Sequence, residues 1–321
     1  MIYSLAITGP TASGKTALSI EIARTFDAEI ISCDSMQIYK EMNIGTAKAT
    51  QEERAEVRHH MLDFLSPGED YSAQSYRTDA MRVAKDIQSR GKLPMFVGGT
   101  GLYIDTLMRA EVLEVPESSK TYRDKMLDGI KSDGDVDRLF QRLCEIDPES
   151  AEKTHKNNIR RVIRALEIYD ATGKTKSYFD RISKEKNAEI KVGMITLDVH
   201  DRENLYKRID RRVDEMISEG LVEEVSSLYN RGLLRGKSTA AQAIGYKEIV
   251  EYLDGEISLE EAVELIKLSS RRYAKRQITW FKHEEGAYRL YLDTEEGVMR
   301  SFDDILCEAK GAAEEYIKGF I

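Results

Sequence analysis

Short apolar runs alternate with segments of helical pattern through the first hundred residues. Residues 2–8, 29–32 and 94–97 are apolar runs of the kind that forms buried strands. The segments between them carry apolar side chains at helical spacing, begin at a capping serine, or are polar throughout. The helices predicted in these segments cover residues 15–26, 50–60, 72–91 and 101–108. Strands that alternate with helices predict an α/β fold with a mostly parallel sheet flanked by helices.

The middle of the chain has a different pattern. From about residue 115 to residue 187 it shows helical periodicity only, and the helices predicted there cover residues 123–130, 135–145 and 159–170. Residues 190–197 then form an apolar run, which indicates a strand that returns to the sheet. We therefore predict a helical domain inserted into the sheet domain. The expected parts are residues 1–113, residues 114–188 and a helix-rich continuation of the core over residues 189–321.

The composition excludes membrane-spanning and disordered proteins. The 321 residues are 41% hydrophobic and 33% charged, and no stretch approaches the roughly 18 apolar residues of a membrane span. Cys33, Cys144 and Cys307 lie more than 100 residues apart, which fits neither a disulfide framework nor a zinc site. Such cysteines suit a reducing compartment. We expect a cytoplasmic protein, and no coiled-coil repeat indicates more than a monomer.

The net charge of −9 conceals two basic segments. Residues 153–176 contain seven basic and two acidic residues, and residues 267–282 contain six basic residues and no acidic one. Charge is screened beyond about 8 Å at physiological salt, so a local patch decides whether a polyanion binds. A solvated helix face is the commoner meaning of one charge run. Two such runs, one of them with Tyr273, Trp280 and Phe281, leave a nucleic-acid partner and a solvated surface about equally supported.

The strongest chemical motif is GPTASGKT, which lies between a predicted strand and a predicted helix. Its glycines let backbone N–H groups surround phosphate oxygens, and the following helix N-terminus adds positive potential. Lys15 can pair with a phosphate, and the Thr16 hydroxyl suits a magnesium ligand position. The motif predicts a P-loop NTPase-like fold and a site for a diphosphate, by default that of a nucleoside triphosphate. The residues of this site are Gly9, Pro10, Thr11, Ala12, Ser13, Gly14, Lys15 and Thr16.

Other candidate groups follow neighbouring strands. Asp34 comes directly after the second strand, and ligands of open α/β sheets bind at the carboxyl ends of strands. It can act as a general base, hold magnesium through a water, or cap a turn. Residues 98–100 read Gly-Gly-Thr where an ATPase usually has an aspartate, which argues against ordinary ATP hydrolysis. Arg208 and Arg212 can clamp a phosphate or pair with acidic neighbours.

Six sequence blocks together resemble one family. They run in order from Gly9 to Lys282 and read GPTASGKT, DSMQIYKEMNIGTAK, VGGTGLYI, RRVIRALEIYDATGK, AIGYKEI and RRYAKRQITWFK. These blocks are similar to those of the bacterial tRNA dimethylallyltransferases, also called tRNA isopentenyl-pyrophosphate transferases. The first block alone is unspecific, whereas the six in this order are specific.

The resemblance implies transfer of a dimethylallyl group from dimethylallyl diphosphate to the N6 amine of the adenosine 3′ of the anticodon, tRNA position 37. The P-loop then holds the donor diphosphate, with Mg²⁺ on Thr16. Asp34 is expected to accept the amine proton, Arg212 to stabilise the leaving group, and Thr100 to contact the base or the diphosphate. The base must leave its stack to react. The residues expected to contact the anticodon stem-loop are Asp34, Ser35, Met36, Gln37, Thr100, Arg123, Arg160, Arg161, Val162, Ile163, Arg164, Gln242, Gly245, Tyr246, Lys247, Lys275, Arg276, Gln277 and Trp280.

Two other functions compete with this one. A small-molecule P-loop kinase would use the acid after the second strand and the arginines of residues 160–164 as a phosphate-covering lid. A regulatory nucleotide-binding module would bind ATP without chemistry. The ligand distinguishes the three hypotheses, since only the transferase binds a prenyl diphosphate and an anticodon stem-loop.

Overall fold

The chain forms two compact units. The computed structural model describes residues 1–110, 118–183, 187–234, 236 and 238–320. The larger unit comprises Met1–Leu107 and Glu189–Ile321, and the smaller comprises Met108–Ala188. The boundary expected between residues 113 and 114 lies outside the described residues. Within the described ranges, no helix is long and apolar enough to cross a membrane.

The larger unit is built on one parallel sheet. In the described part of the chain its strands are β1 (Ile2–Thr8), β2 (Ala28–Ser32), β3 (His59–His60), β4 (Leu93–Gly98), β5 (Ile190–Asp198) and β6 (Tyr288–Tyr291). The strand order is β3-β2-β4-β1-β5-β6, and each neighbouring pair is parallel. The α/β fold predicted from the sequence is confirmed, including the strand that follows the inserted segment.

The helices described by the structure alternate with these strands in the first part of the chain and dominate the rest. They are α1 (Lys15–Thr25), α2 (Gln51–Glu56), α3 (Ala73–Ser89), α4 (Gly101–Met108), α5 (Ser118–Asp128), α6 (Asp133–Ile146), α7 (Pro148–Glu152), α8 (Ile159–Thr172), α9 (Lys176–Ile182), α10 (Arg202–Ser218), α11 (Leu221–Asn230), α12 (Tyr246–Leu253), α13 (Leu259–Phe281) and α14 (Phe302–Lys318). A short 3₁₀ helix covers Ala240–Gln242.

The helix predicted over residues 50–60 is wrong at its C-terminal end. Thr50 caps α2 by accepting the Glu53 N–H, but Val57 is already extended, with φ −138° and ψ 132°. The next residues pair with Ile30 and Ile31 of β2 and form β3. A pairing partner supplied by the sheet therefore ends the helix, and the polar pattern alone does not reveal it.

The strand register brings the chemically interesting loops together. Thr8, the last residue of β1, pairs with Gly98 of β4 and with Thr196 of β5. Ser32, at the end of β2, pairs with Val97. The segments that follow β1, β2 and β4 therefore leave the sheet side by side at its carboxyl edge.

The sheet is buried on both faces, as parallel sheets generally are. Leu5, Ile30, Met95 and Ile195 have at most 2% of their surface exposed. Because both faces are buried, the strands are nearly continuous apolar runs. The sequence therefore indicates them by these runs and not by an alternating pattern.

The smaller unit has a helical core of its own. Leu143 of α6 packs with Val162 and Leu166 of α8, and partly buried Met126 and Phe140 cover this cluster. Gly173 ends α8 in the left-handed region, with φ 70°, as its C′ position predicts.

Candidate active site

The loop after β1 is shaped as an anion cradle. Gly9 has φ 139°, and a Cβ there would lie 2.7 Å from the Leu197 carbonyl oxygen, so only glycine fits. Gly14, with φ 88°, turns the chain into α1. Lys15 folds back over the loop, and its Nζ donates hydrogen bonds to the carbonyls of Gly9 at 3.0 Å and Pro10 at 2.6 Å. The motif is thus organised around its own lysine.

The charge state of this loop is unusual. Burial, and secondarily the positive charge of Arg212, lower the pKa of Lys15 to about 7, while Asp34 acts in the opposite direction. Within the described chain, the Ser13 Oγ is buried without a hydrogen-bond partner. Buried polar atoms are nearly always paired, so this hydroxyl suits a ligand oxygen.

Two arginines of α10 contact the loop. Arg208 Nε donates to the Ala12 carbonyl at 2.8 Å, and Arg212 Nη1 donates to the Thr11 hydroxyl at 3.3 Å. Burial lowers the pKa of both guanidinium groups, and Asp34 partly offsets this for Arg212. Arginine stays charged despite such a shift, so α10 supplies two fixed cations to the cradle. The phosphate clamp that their spacing allows is geometrically available.

Asp34 faces the cradle from the end of β2. Its Oδ1 accepts N–H bonds from Met36 at 2.9 Å and Gln37 at 3.4 Å, which fixes the carboxylate. Its charge raises the pKa of Lys15 against the effect of burial. Burial, and then Asp34, raise the pKa of Tyr273 to about 12. The carboxylate therefore lies among the charges of the anion loop, as the sequence predicted.

Thr100 joins the turns after β4 and β2. Its N–H donates to the Cys33 carbonyl at 3.1 Å, and its Oγ1 accepts the Ser35 N–H at the same distance. The hydroxyl also donates weakly, at 3.4 Å, to the Ser35 Oγ. Thr100 therefore supports the turn that carries Asp34, whatever substrate contact it also makes.

Two adjoining cavities open at this edge of the sheet. The larger, about 810 Å³, contains the anion loop, and the smaller, about 270 Å³, has more apolar walls, including Met36, Val213 and Ile266. The residues common to both linings are Thr11, Ala12, Asp34, Thr46, Arg212, Met216 and Tyr273. Asp34 and Arg212 therefore stand where the polar and the apolar space meet.

Magnesium, which the resemblance implies, fits the donors of the larger cavity. The Thr16 hydroxyl and the Asp34 carboxylate both line it. Among the described residues, no group of three or more His, Cys, Asp or Glu side chains could hold a metal ion. Mg²⁺ is usually held by one or two protein oxygens together with waters and ligand phosphates. The donor set therefore fits a magnesium ion that binds with a diphosphate.

Sequence reasoning missed Glu224 of α11. Its carboxylate accepts the N–H groups of Asn43 and Ile44, both at 2.9 Å, and of Gly45 at 3.3 Å. The buried Tyr246 hydroxyl donates to the same carboxylate at 2.6 Å. Glu224 thus anchors a loop that lines both cavities. It lies about 180 residues from this loop in sequence, and no local pattern marks it.

Three residues expected to contact RNA are occupied inside the protein. Tyr246 is fully buried, and a Cβ on Gly45 would lie 2.5 Å from its ring. Gln37 donates to the Thr46 and Ala47 carbonyls at 3.2 and 3.3 Å. Gln277 has 5% of its surface exposed. The structure thus places the side chains of Tyr246 and Gln277 inside the protein, and the Gln37 amide bonds to the neighbouring loop. Their direct contact with tRNA stays a prediction.

Other candidates in this region remain accessible. Lys275, Arg276 and Trp280 are exposed on α13, and the Trp280 Nε1–H donates to Asp105 at 3.2 Å. Gln242 is exposed, Lys247 is half-buried, and buried Gly245 lines the smaller cavity together with Gln242 and Arg276.

The four candidate arginines of the smaller unit fall into two groups. Arg160 and Arg161 are exposed at the start of α8. Arg123 and Arg164 both pair with buried Glu167, at 3.0 and 2.6 Å, so part of their charge is neutralised.

Two residues of α8 that were expected to contact tRNA have buried side chains. Val162 and Ile163 have 0% and 1% of their surface exposed. Val162 belongs to the core cluster of the smaller unit. Both side chains are thus buried within the protein, and their predicted contact with tRNA stays a prediction.

Known proteins are similar to this chain in sequence. The family model described as IPP transferase matches residues 37–284, and that described as Isopentenyl transferase matches residues 2–69. A tRNA dimethylallyltransferase of Caldanaerobacter subterraneus subsp. tengcongensis is 51% identical over 88% of this chain and 89% of that protein. The corresponding protein of Shouchella clausii is 45% identical over 93% and 94%.

Solved structures agree with the sequence comparison. A tRNA delta(2)-isopentenylpyrophosphate transferase from Staphylococcus epidermidis is 40% identical, with a TM-score of 0.70, over 98% of this chain and 99% of its own. A eukaryotic dimethylallyltransferase acting on tRNA is 32% identical, with a TM-score of 0.76, over 91% and 74%. The extent of these matches and the arrangement of the anion loop lead to one conclusion: the chain belongs to the IPP transferase family, that of the tRNA dimethylallyltransferases.

Proposed function

We propose that the protein transfers a dimethylallyl group from dimethylallyl diphosphate to the N6 amine of the adenosine immediately 3′ of a tRNA anticodon. The bond between the allylic carbon and the diphosphate oxygen breaks, a bond from that carbon to N6 forms, and N6 loses a proton. One observation carries the proposal. The anion loop and Asp34 line a single cavity that adjoins an apolar one. The leaving group and the proton acceptor can therefore lie in the polar cavity, and the carbon chain can lie in the apolar cavity beside them.

The cradle stabilises the departing diphosphate. The loop amides, Lys15 and Arg212 present positive charge where negative charge develops as the allylic bond breaks. The unpartnered Ser13 hydroxyl gains a phosphate oxygen as its partner. Magnesium held by Thr16 and the phosphate oxygens would neutralise further leaving-group charge. Because these donors are already arranged, little reorganisation accompanies the reaction.

Asp34 removes the proton from the incoming amine. An adenine amine is a poor nucleophile because its lone pair is delocalised into the ring. A carboxylate that accepts its proton during attack gives typically about 10²–10⁴-fold acceleration. The N–H groups of Met36 and Gln37 fix the Asp34 carboxylate and prevent it from turning away.

After leaving its stack, the adenine enters the smaller cavity, where the dimethylallyl chain also lies. Extrusion of a base costs a few kcal/mol, and edge hydrogen bonds and stacking in the pocket repay it. Ser35, Met36, Gln242 and Arg276 line this cavity. Lys275 and Trp280 on α13, and Arg160 and Arg161 on the inserted helical unit, would hold the anticodon stem-loop. We place the enzyme in the cytoplasm as a monomer.

Calorimetry with alternative ligands tests the proposal. Dimethylallyl diphosphate and ATP are each titrated with magnesium, with and without an anticodon stem-loop RNA. We expect binding of the prenyl diphosphate and of the RNA. Micromolar ATP binding with no response to the prenyl diphosphate would support a kinase or a regulatory module.

A further inference from the structure

Gln277 bridges two loops of the candidate active site. Its Oε1 accepts the Thr11 N–H at 2.8 Å, and its Nε2 donates to the Gly99 carbonyl at 2.9 Å. The side chain comes from α13, the helix that carries exposed Lys275 and Arg276. Both polar atoms of Gln277 are therefore used within the protein, although its neighbours in sequence face outward.

The fit around this amide leaves no spare space. A Cβ on Gly99 would lie 2.1 Å from Gln277 Nε2 and 3.2 Å from the Gly9 carbonyl oxygen. Gly99 is not among the residues with positive φ. A glycine is therefore needed here because no side chain fits, and not because of the backbone conformation. The turns after β1 and β4 are thus packed against one side chain.

The bridge continues to the proton acceptor. Thr100, next to Gly99, accepts the Ser35 N–H through its Oγ1. Ser35 follows Asp34 directly. Hydrogen bonds that alternate with peptide bonds therefore link the anion loop, through Gln277 and the turn after β4, to the turn that holds Asp34.

We propose that Gln277 is a positioning residue that holds the anion loop in register with Asp34, and that it does not contact tRNA. The inference rests on the proposed function, because the loop is taken as the diphosphate site. A loop released from this bridge samples other conformations, and the apparent affinity for the anion falls by the fraction that remains competent. RNA affinity, which depends on exposed groups, stays unchanged.

Two variants break the bridge from opposite sides. Gln277→Met removes both hydrogen bonds at similar side-chain length, and Gly99→Ala pushes the amide away without altering it. The released loop is competent in a smaller fraction of molecules, so we expect about tenfold weaker binding of inorganic diphosphate, about 1.4 kcal/mol. The KM for dimethylallyl diphosphate rises in parallel, and the Kd for stem-loop RNA does not change.

Two control variants lie on the same helix. One should weaken RNA binding but not diphosphate binding, and the other should change neither. Lys275→Met removes an exposed cation and should weaken RNA binding while diphosphate binding is retained. Thr279→Ala removes only an exposed hydroxyl that bonds to its own helix, and it should change neither affinity. Calorimetry with inorganic diphosphate and with RNA, together with steady-state kinetics, measures all three quantities.

The outcomes separate this inference from the proposed function. If the unaltered protein fails to bind dimethylallyl diphosphate, the proposed function fails. If it binds, and both bridge variants bind diphosphate as tightly as it does, Gln277 does not position the loop. Loss of RNA affinity in Gln277→Met with diphosphate affinity intact would identify a tRNA contact. If Gln277→Met does not fold, Gly99→Ala carries the test alone.

Discussion

The protonation of Lys15 should make diphosphate binding depend on pH. Its pKa is lowered from 10.5 to about 7, chiefly by burial and also by Arg212. Because the pKa is lowered this far, the charged form of Lys15 prevails below pH 7 and the neutral form prevails above it. The anion binds the charged form more tightly, so affinity should fall as the pH rises, and binding above pH 7 should take up a proton.

The size of the effect follows from the pKa. At pH 6 nearly all molecules carry charged Lys15, whereas at pH 8 about one tenth do, so the apparent affinity should fall about tenfold over this interval. Calorimetric titration with inorganic diphosphate measures the affinity. Repeating it in buffers of different ionisation enthalpy counts the protons that are taken up.

Comparison with a variant cancels the effect that ionisation of the diphosphate itself has on the measured affinity. Lys15→Met cannot titrate at this position, and the ionisation of diphosphate affects it and the unaltered protein equally. The ratio of the two affinities should therefore fall about tenfold from pH 6 to pH 8. A ratio that stays constant would mean that Lys15 is fully charged in the free loop throughout this pH range and that its pKa is not lowered to the neutral region.

Three further changes should have separable effects. Asp34→Asn keeps an acceptor for the backbone N–H groups but loses the base, so single-turnover transfer should slow by about 10²–10⁴-fold with unchanged RNA affinity; simultaneous loss of RNA binding would make Asp34 structural. Glu224→Gln leaves backbone donors of the loop at residues 43–45 unsatisfied and should lower the free energy of unfolding by about 1–3 kcal/mol, measured by urea denaturation; an unchanged midpoint would mean that other contacts hold the loop. The log of RNA affinity should fall linearly with log salt, and Arg160→Gln should reduce that slope by about one if this arginine contacts a phosphate; an unaltered slope would remove it from the interface.

The sequence locates the groups that parallel strands bring together. The anion loop, Asp34 and Thr100 each follow a strand, and the carboxyl ends of parallel strands share one edge. Their proximity is therefore predictable without knowledge of the helices. The helical periodicity around residues 159–166 also predicts that Val162 and Ile163 are buried, since both lie on the apolar face of α8. Assigning the whole block to the RNA surface overlooked that signal.

Other features of the site depend on tertiary pairing and have no local sequence signature. Glu224 finds its partners in a loop about 180 residues away, and Gln277 bonds to Thr11 across 266 residues. Gln277 sits within a strongly basic run, which favoured an exposed position. The short strand β3 exists because β2 offers it a partner. Such contacts become visible only when the sheet and the helices are assembled.

In the proposed reaction, the anion loop and Asp34 act on one reacting pair, an allylic diphosphate and an adenosine amine. Mass spectrometry of an anticodon stem-loop RNA, after incubation with the protein, magnesium and dimethylallyl diphosphate, tests it most directly. We expect a five-carbon addition to the adenosine 3′ of the anticodon, nearly abolished in Asp34→Asn. An unmodified RNA, or equal modification by Asp34→Asn, would contradict it.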